Sequence, residues 1–341
     1  MKKVNFLVIL SLLFVSLAIF VGCSSGKEQN QGAEKTKIRL FEVTRSIFYA
    51  PEYIALTQGL FEEEGLEVEL TTAFGGDKTM TALLSDNADI ILVGSETTIY
   101  VYNQGTSDPA INFAQLTQTD GSFLVSREPI EKFTWDMLKG KILLGQRKGG
   151  MPEMVSEFVQ KKNGIIPFKD VEIIQNVDYA NLGSAFASGT GDFVQLFEPV
   201  ASKLELEGKG YVVASFGVES GKLPYTVFIA KKSFLDKKPD VVQSFTNAIY
   251  KAQIWAQSHS VEEIADAISP YFQEIDRTTM LKVVDRYKSQ GSWATDPILD
   301  EEEYRNLEAV MESAGELNKK APYNEIVNTT FAKNAMKNIT Q

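Results

Sequence analysis

From Lys37 to Ala230 short apolar runs alternate with amphipathic helical stretches, and this alternation restricts the fold more than any other feature of the chain. Lys37–Val43 reads as a strand. Pro51 opens a helix that Gly59 stops, since proline fits the first helical turn and glycine the helix end. Leu66–Leu70 alternates as a half-buried strand, Asp77 is expected to cap a helix through Leu84, and Ala88–Val93 reads as a buried strand. Ser95 is expected to cap the next helix, which stops near Gly105. Strands separated by helices bury both faces of a mostly parallel sheet, so the expected class is α/β. After Ala230 the period is helical throughout. Pro239–Ser258 carries Val242, Phe245, Ile249, Ala252 and Ala256 on one stripe. Further helices are expected over 261–268, 277–288, 300–314 and 323–337.

One stretch occurs twice in similar form. Ala82, Ser85 and Asp89 match Ala185, Ser188 and Asp192 in spacing, and apolar residues follow each Asp. Each copy ends a helix, turns tightly and starts a buried strand. Two lobes of like architecture are the functional reading; chance likeness between α/β units is the plain one. Small polar segments at Gln118–Ser122 and Ser220–Tyr225 are the expected crossings between lobes. The expected organisation is a discontinuous lobe over 37–123 plus 224–341 and an inserted lobe over 124–223.

Composition removes several classes of function. The 341 residues carry a formal net charge of −11, which leaves no electrostatic footprint for nucleic acid. The body lacks cysteine, so disulfides and thiol nucleophiles are excluded there. The single histidine, His259, sits at an expected helix end, and solvent exposure is expected for it. Neither G-x-x-x-x-G-K-[ST], G-x-S-x-G nor H-E-x-x-H occurs. Gly189-Thr190-Gly191 imitates a dinucleotide loop but precedes a strand and lacks the third glycine. No metal site or cofactor is expected. Acidic runs at 62–64 and 300–303 read as solvated helix faces.

The one cysteine, Cys23, follows a positive start (Lys2, Lys3) and an apolar run from Val4 to Val21. That order reads as an export signal over 1–22. Phe20-Val21-Gly22-Cys23 resembles the lipobox of bacterial lipoproteins, which implies lipidation at Cys23; an uncleaved membrane anchor is the alternative. Residues 23–36 are polar and aperiodic, a flexible tether reaching roughly 20 Å.

In open α/β sheets ligands sit beyond the carboxyl ends of strands, against helix N-termini that offer free N–H groups. The strand ends, in order, are 44–49, 74–77, 94–97, 118–120, 147–151, 176–179 and 197–198. From these come the candidate ligand-binding residues Ser46, Phe48, Tyr49, Gly75, Gly76, Ser95, Glu96, Thr97, Gln118, Gly149, Gly150, Asn176 and Glu198. Aromatics, amides, hydroxyls and glycine-rich helix starts suit a small, partly apolar molecule. Each has a plainer reading: Phe48 and Tyr49 as packing, the glycine pairs as turns, Glu198 as a helix-start charge, and Arg45 and Arg147 as rim residues.

The run from Phe48 through Ala50-Pro51-Glu52-Tyr53 to Gly59-Leu60-Phe61 and Gly65-Leu66-Glu67-Val68 resembles the opening of substrate-binding proteins of ABC importers. The subgroup binds nitrate, alkanesulfonates, taurine or thiamine pyrimidine precursors. Asp89, Gly94-Ser95 and Gly191-Asp192 before a strand ending in Glu198-Pro199 share the resemblance, which covers about 37–260. It implies a two-lobed periplasmic-binding-protein-like clamp with a helical C-terminal tail. It also implies a monomer that captures a small solute and meets ABC permease subunits at the membrane. The first loop lacks the Trp-x-Pro-Asn of the pyrimidine-precursor binders. Ser46, Ser95 and Thr97 would suit an anion, whereas Glu96 and Glu198 would repel one. An organic solute, sulfonate-like or a nitrogen heterocycle, is therefore expected over an inorganic anion. An enzyme on the same fold and a subunit feeding a membrane sensor are the other functions considered.

Overall fold

Two five-stranded sheets form the frame of the computed structural model, which describes residues 34–339; the signal segment and Cys23 lie outside the described residues. The first sheet holds β1 (Thr36–Glu42), β2 (Leu66–Thr72), β3 (Ile90–Gly94), β4 (Ala110–Thr117) and β10 (Thr226–Lys231), in the order β2-β1-β3-β10-β4. The second holds β5 (Ser122–Ser126), β6 (Ile142–Leu144), β7 (Glu172–Ile174), β8 (Phe193–Phe197) and β9 (Tyr211–Ser215), in the order β7-β6-β8-β5-β9. The expected α/β class is what the chain adopts, with sheets that are mixed. In the first, β10 runs against β3 and β4; in the second, β5 runs against β8 and β9. Each reversed strand lies fourth in its order, so the two sheets share one topology.

The repeated sequence has a physical cause. Asp89 takes the backbone N–H of Arg39 on its carboxylate at 2.9 Å and returns its own N–H to the Arg39 carbonyl at 3.0 Å. Asp192 does the same with Ile142, at 2.9 Å in both directions. Ser85 and Ser188 each donate to the carbonyl four residues back, at 2.7 and 2.8 Å. Both copies thus close a helix and fix the register of the next strand on its parallel neighbour.

Four local expectations are corrected. Asp77 lies inside the Gly76–Leu84 helix, whose cap position is Gly75. Ser95 does not cap the Glu96–Asn103 helix with its side chain; its hydroxyl donates to the Pro224 carbonyl instead. The last expected helix divides into Tyr323–Ile326 and Thr330–Asn338, because Val327 between them bridges to Asn112 of β4. His259 is half-buried, not fully exposed, and stacks on Trp255 with ring centroids 3.7 Å apart.

Two short crossings join the sheets, 118–121 between β4 and β5 and 221–225 ahead of β10. They lie side by side: Leu223 N–H donates to the Gln118 carbonyl at 3.0 Å and Tyr225 N–H to that of Thr117 at 3.1 Å. The Arg277–Gln290 helix braces them. Gln290 donates to the Asp120 carbonyl at 3.0 Å and accepts from the Ser215 hydroxyl at 2.6 Å. The Tyr287 hydroxyl donates to the Gly121 carbonyl and accepts the Glu198 N–H, both at 3.2 Å. This helix therefore bonds to the first crossing and to the second sheet at once.

Candidate functional site

Phe48 is where loops from the two sheets meet. Ser46 ends the extended stretch after β1 and accepts the Phe48 N–H at 3.2 Å, starting a 3-10 turn over Ile47–Tyr49. The Ser46 N–H donates to the Tyr53 hydroxyl at 3.3 Å, and Tyr53 donates to the buried Glu42, which also accepts from Thr72 at 2.5 Å. The loop is thus anchored from below. Glu52 lies fully buried in the same base, with neither carboxylate oxygen hydrogen-bonded. Burial, and then the nearby Glu42, push the Glu52 carboxyl well above the ordinary range, so it holds its proton.

The Phe48 ring stands among Tyr49, Phe197, Tyr225 and Tyr287, at centroid separations of 5.8, 6.0, 5.6 and 5.2 Å. Such tilted and edge-on pairs suit the ring quadrupoles. Gly121 is required here, because a Cβ at that position would stand 2.7 Å from the Phe48 ring. Tyr179, from the loop after β7, packs on Phe197 at 6.0 Å. It keeps 52% of its surface accessible, yet protein atoms surround it, and that crowding pushes its phenol up to about 12. The hydroxyls of Tyr49, Tyr179 and Tyr225 take no protein hydrogen bond among the described residues.

Two carboxyl groups border these rings. Glu96, the first residue of its helix, folds back over Gly94, where a Cβ would lie 2.2 Å from the carboxylate. One of its oxygens has no partner, and burial raises its pKa to about 8 against its own backbone N–H. Asp120 accepts the Ser122 N–H at 2.7 Å and the Ser122 hydroxyl, while its other oxygen has no partner. Burial pushes Asp120 up to about 6. It faces the Tyr225 phenol without a hydrogen bond of ordinary geometry. Among the described residues, no lysine or arginine opposes either acid.

The other candidates are placed as follows. Thr97 donates to the Gly94 carbonyl at 2.6 Å, so its hydroxyl, like that of Ser95, is spent within the protein. Gly75 and Gly76 start the Gly76–Leu84 helix at the end of β2. Gly149 and Gly150 start Met151–Lys162, where the Gly149 N–H donates to the buried Glu153 carboxylate at 3.2 Å. Burial, then Glu157, push Glu153 up to about 7. At two helix starts, then, the protein's own carboxyl occupies the place an anion would take. Asn176 is exposed. Gln118 turns to the Gly291 carbonyl at 2.9 Å. Glu198 accepts the Ser202 N–H and hydroxyl at 2.9 Å and pairs with Arg286. Arg45 lies 5.4 Å over the Tyr271 ring and 3.6 Å from Glu42, and Arg147 is exposed. Ser46, Phe48, Tyr49 and Glu96 are thus brought together, Glu198 adjoins the cluster through its N–H to Tyr287 and its neighbour Phe197, and Gln118 and Asn176 are placed elsewhere. Tyr225, Tyr287 and Arg286 carry no local signal in the sequence, since their roles come from contacts across the chain.

Phe74, beside these helix starts, has φ 57° and 73% exposure. A left-handed backbone at a large residue costs of order 1 kcal/mol. Phe74→Gly is therefore expected to raise stability by about 1 kcal/mol, read as a higher urea midpoint; an unchanged or lower midpoint would contradict this.

Residues 47–263 match the family model described as NMT1/THI5 like. YtlA of Bacillus subtilis (strain 168), described only as a binding protein, is 57% identical over 297 residues, covering 87% of this chain and 89% of YtlA. Among solved structures, the nitrate-binding protein NrtA from Synechocystis PCC 6803 has a TM-score of 0.69 at 16% identity, covering 90% of this chain and 89% of its own. The alkanesulfonate-binding protein SsuA from Xanthomonas axonopodis pv. citri has a TM-score of 0.69 at 16% identity, covering 87% of this chain and 100% of its own. These two likenesses establish the periplasmic-binding-protein fold. Together with the match over residues 47–263 and the likeness to YtlA, they place the chain in the NMT1/THI5-like family.

Proposed function

We propose that this protein is a non-catalytic, extracytoplasmic solute-binding protein, held to the membrane through Cys23, that hands a small organic solute to ABC permease subunits. The lobes over 37–123 plus 224–341 and over 124–223 close about the two crossings, with the ligand stabilising the closed state by its higher affinity for it. Family membership and the shared topology of the sheets support this reading. The proposed solute is a flat nitrogen heterocycle with N–H donors. One observation carries that choice: the ring cluster is bordered by two unopposed carboxyls with unpaired oxygens, while the helix starts are filled by the protein's own acids. Ring faces receive a planar molecule, and Glu96 and Asp120 accept its N–H groups. A sulfonate or nitrate would meet acids and spent hydroxyls.

The test is a thermal-shift series on residues 24–341 with pyrimidines, flavin-like compounds, alkanesulfonates and nitrate. A ligand that binds only the native state raises Tm with its excess over Kd. The expected result is a rise with a heterocycle that Tyr49→Ala abolishes. A rise with nitrate or a sulfonate alone would overturn the solute class. A heterocycle recovered chemically changed would overturn the non-catalytic reading.

A further inference from the structure

The inner parallel strands of the two sheets share a feature that the topology alone does not require. In the strand orders β2-β1-β3-β10-β4 and β7-β6-β8-β5-β9, β1 corresponds to β6 and β3 to β8. Each of these four strands leads to a helix, with a glutamate at or just before its start. Ala50-Pro51-Glu52 after β1 matches Met151-Pro152-Glu153 after β6, and Glu96 after β3 matches Glu198 after β8. Glu52, Glu96, Glu153 and Glu198 are 0%, 7%, 2% and 2% exposed, so none is a solvated first-turn acid. Glu198 is spent on Arg286, and Glu52 takes no N–H. Glu96 and Glu153 remain.

An acid in the first turn of a helix ordinarily complements the dipole. That plain reading fails for these two, because burial pushes them up to about 8 and about 7, and near pH 7 each is protonated much of the time. What both do is fill a helix start. The Gly149 N–H donates to Glu153 Oε2 at 3.2 Å, and Gln175 holds Oε1 at 3.1 Å. Glu96 folds back over Gly94 onto its own N–H. The two starts also approach one another. Tyr100, one turn after Glu96, places its hydroxyl 3.8 Å from the sulfur of Met154, the residue after Glu153. Burial raises the Tyr100 phenol, and Glu96, Glu316 and Glu153 add to it, so both acids lie near this one ring. Lys148, ahead of the second start, pairs with Glu316 at 3.7 Å. Two neighbouring helix starts would together attract an anion; here the protein's own carboxyls take their N–H groups.

We propose that Glu96 and Glu153 are the specificity-determining residues for solute charge: each fills a helix start as an internal surrogate for an anion and bars nitrate and sulfonates from it. This role rests on the solute-binding reading above, though not on the heterocycle. One of the two residues follows a strand of the first sheet and the other a strand of the second, so the exclusion is built from both sides. Shortening either side chain frees the N–H groups it holds and turns that start into an anion seat.

The test compares the wild type with Glu153→Ser and Glu96→Ser in chloride-free buffer, with nitrate and ethanesulfonate as probes. Binding is read from Tm and from the ¹⁵N amide resonances of Gly149 and Gly150 for the first variant, and of Ser95 and Thr97 for the second. The wild type is expected to give no saturable response. Each variant is expected to give a saturable shift at its emptied start, with affinity raised roughly tenfold or more, the worth of one hydrogen bond to a charged group. Glu153→Gln, whose amide oxygen still accepts the Gly149 N–H, should gain far less. Alanine replaces serine if a serine variant does not fold. Saturable binding of either anion to the wild type, folded variants that gain none, or an equal gain in Glu153→Gln would each overturn the proposal. Heterocycle binding by the wild type is scored separately: its failure overturns the solute class proposed above, whereas the charge-selecting role falls only with the anion measurements.

Discussion

Replacing Arg286 with methionine is expected to lower the unfolding free energy by about 3–5 kcal/mol. Arg286 pairs with Glu198, donates to Glu205 at 2.6 Å, and meets the Ser202 hydroxyl at 3.1 Å. Its partners differ in what they would retain. Glu205 keeps Lys282 at 2.8 Å and the Val212 N–H at 3.0 Å. Glu198 has a fully buried side chain and would keep only Ser202, so a buried charge would lose its counter-charge. Methionine keeps the length of the apolar stem but loses the guanidinium that lies 5.3 Å over the Phe123 ring, so the expected cost includes that cation–π contact. The double variant Arg286→Met, Glu198→Gln should recover most of the loss, because removing both charges removes the desolvation cost as well. Urea unfolding of the two single variants and the double closes the cycle. A cost below about 1 kcal/mol, the range of exposed ion pairs, would show that the pair is solvated and that the Arg277–Gln290 helix does not hold the second sheet through it.

Stability is also expected to fall from about pH 5 to about pH 8, with the fully buried Glu52 and Glu96 as the main contributors. The Glu96 carboxyl moves from an ordinary 4.5 to about 8 on folding. Between those values the native state binds more protons than the unfolded chain, so unfolding free energy declines as pH rises. The slope is the reverse of that given by a salt-bridged carboxylate. At about 1.36 kcal/mol per pKa unit the Glu96 contribution is at most about 5 kcal/mol. Asp120, at about 6, and Glu153, at about 7, act in the same direction over narrower windows. Glu96→Gln should reduce the decline up to pH 8 and leave the part due to Glu52, Asp120 and Glu153. Parallel stability profiles for the two proteins would show that Glu96 is hydrated in solution, and would weaken its place in the proposed heterocycle site.

The cap positions show where local reasoning reaches its limit. Asp77 and Ser95 are good helix-capping residue types, yet Asp77 lies inside its helix and Ser95, at the cap position, makes no side-chain cap bond. Gly75 takes the cap position that Asp77 was assigned, and Ser95 finds the carbonyl of Pro224, far along the chain. The helix starts that the sequence offers as donors to a ligand are instead occupied by Glu96, folded back over Gly94, and by Glu153, which accepts the Gly149 N–H. Glu198 reads as a cleft residue from its place at the end of β8. Its partner Arg286 lies in what reads as a plain amphipathic helix.

By itself the sequence determined the order of strands and helices and the α/β class, because periods of two and 3.6 report which face of each element is buried. It also determined the repeated Ser and Asp positions, since those hydrogen bonds join a turn to the strand beside it. Only the tertiary structure decided the reversed fourth strand of each sheet, the bracing of the crossings by Tyr287 and Gln290, and the enclosure of Phe48 by residues from 49 to 287. The reason is common to all three: whether a polar group is buried, and whether it finds a partner there, depends on segments brought together from across the chain.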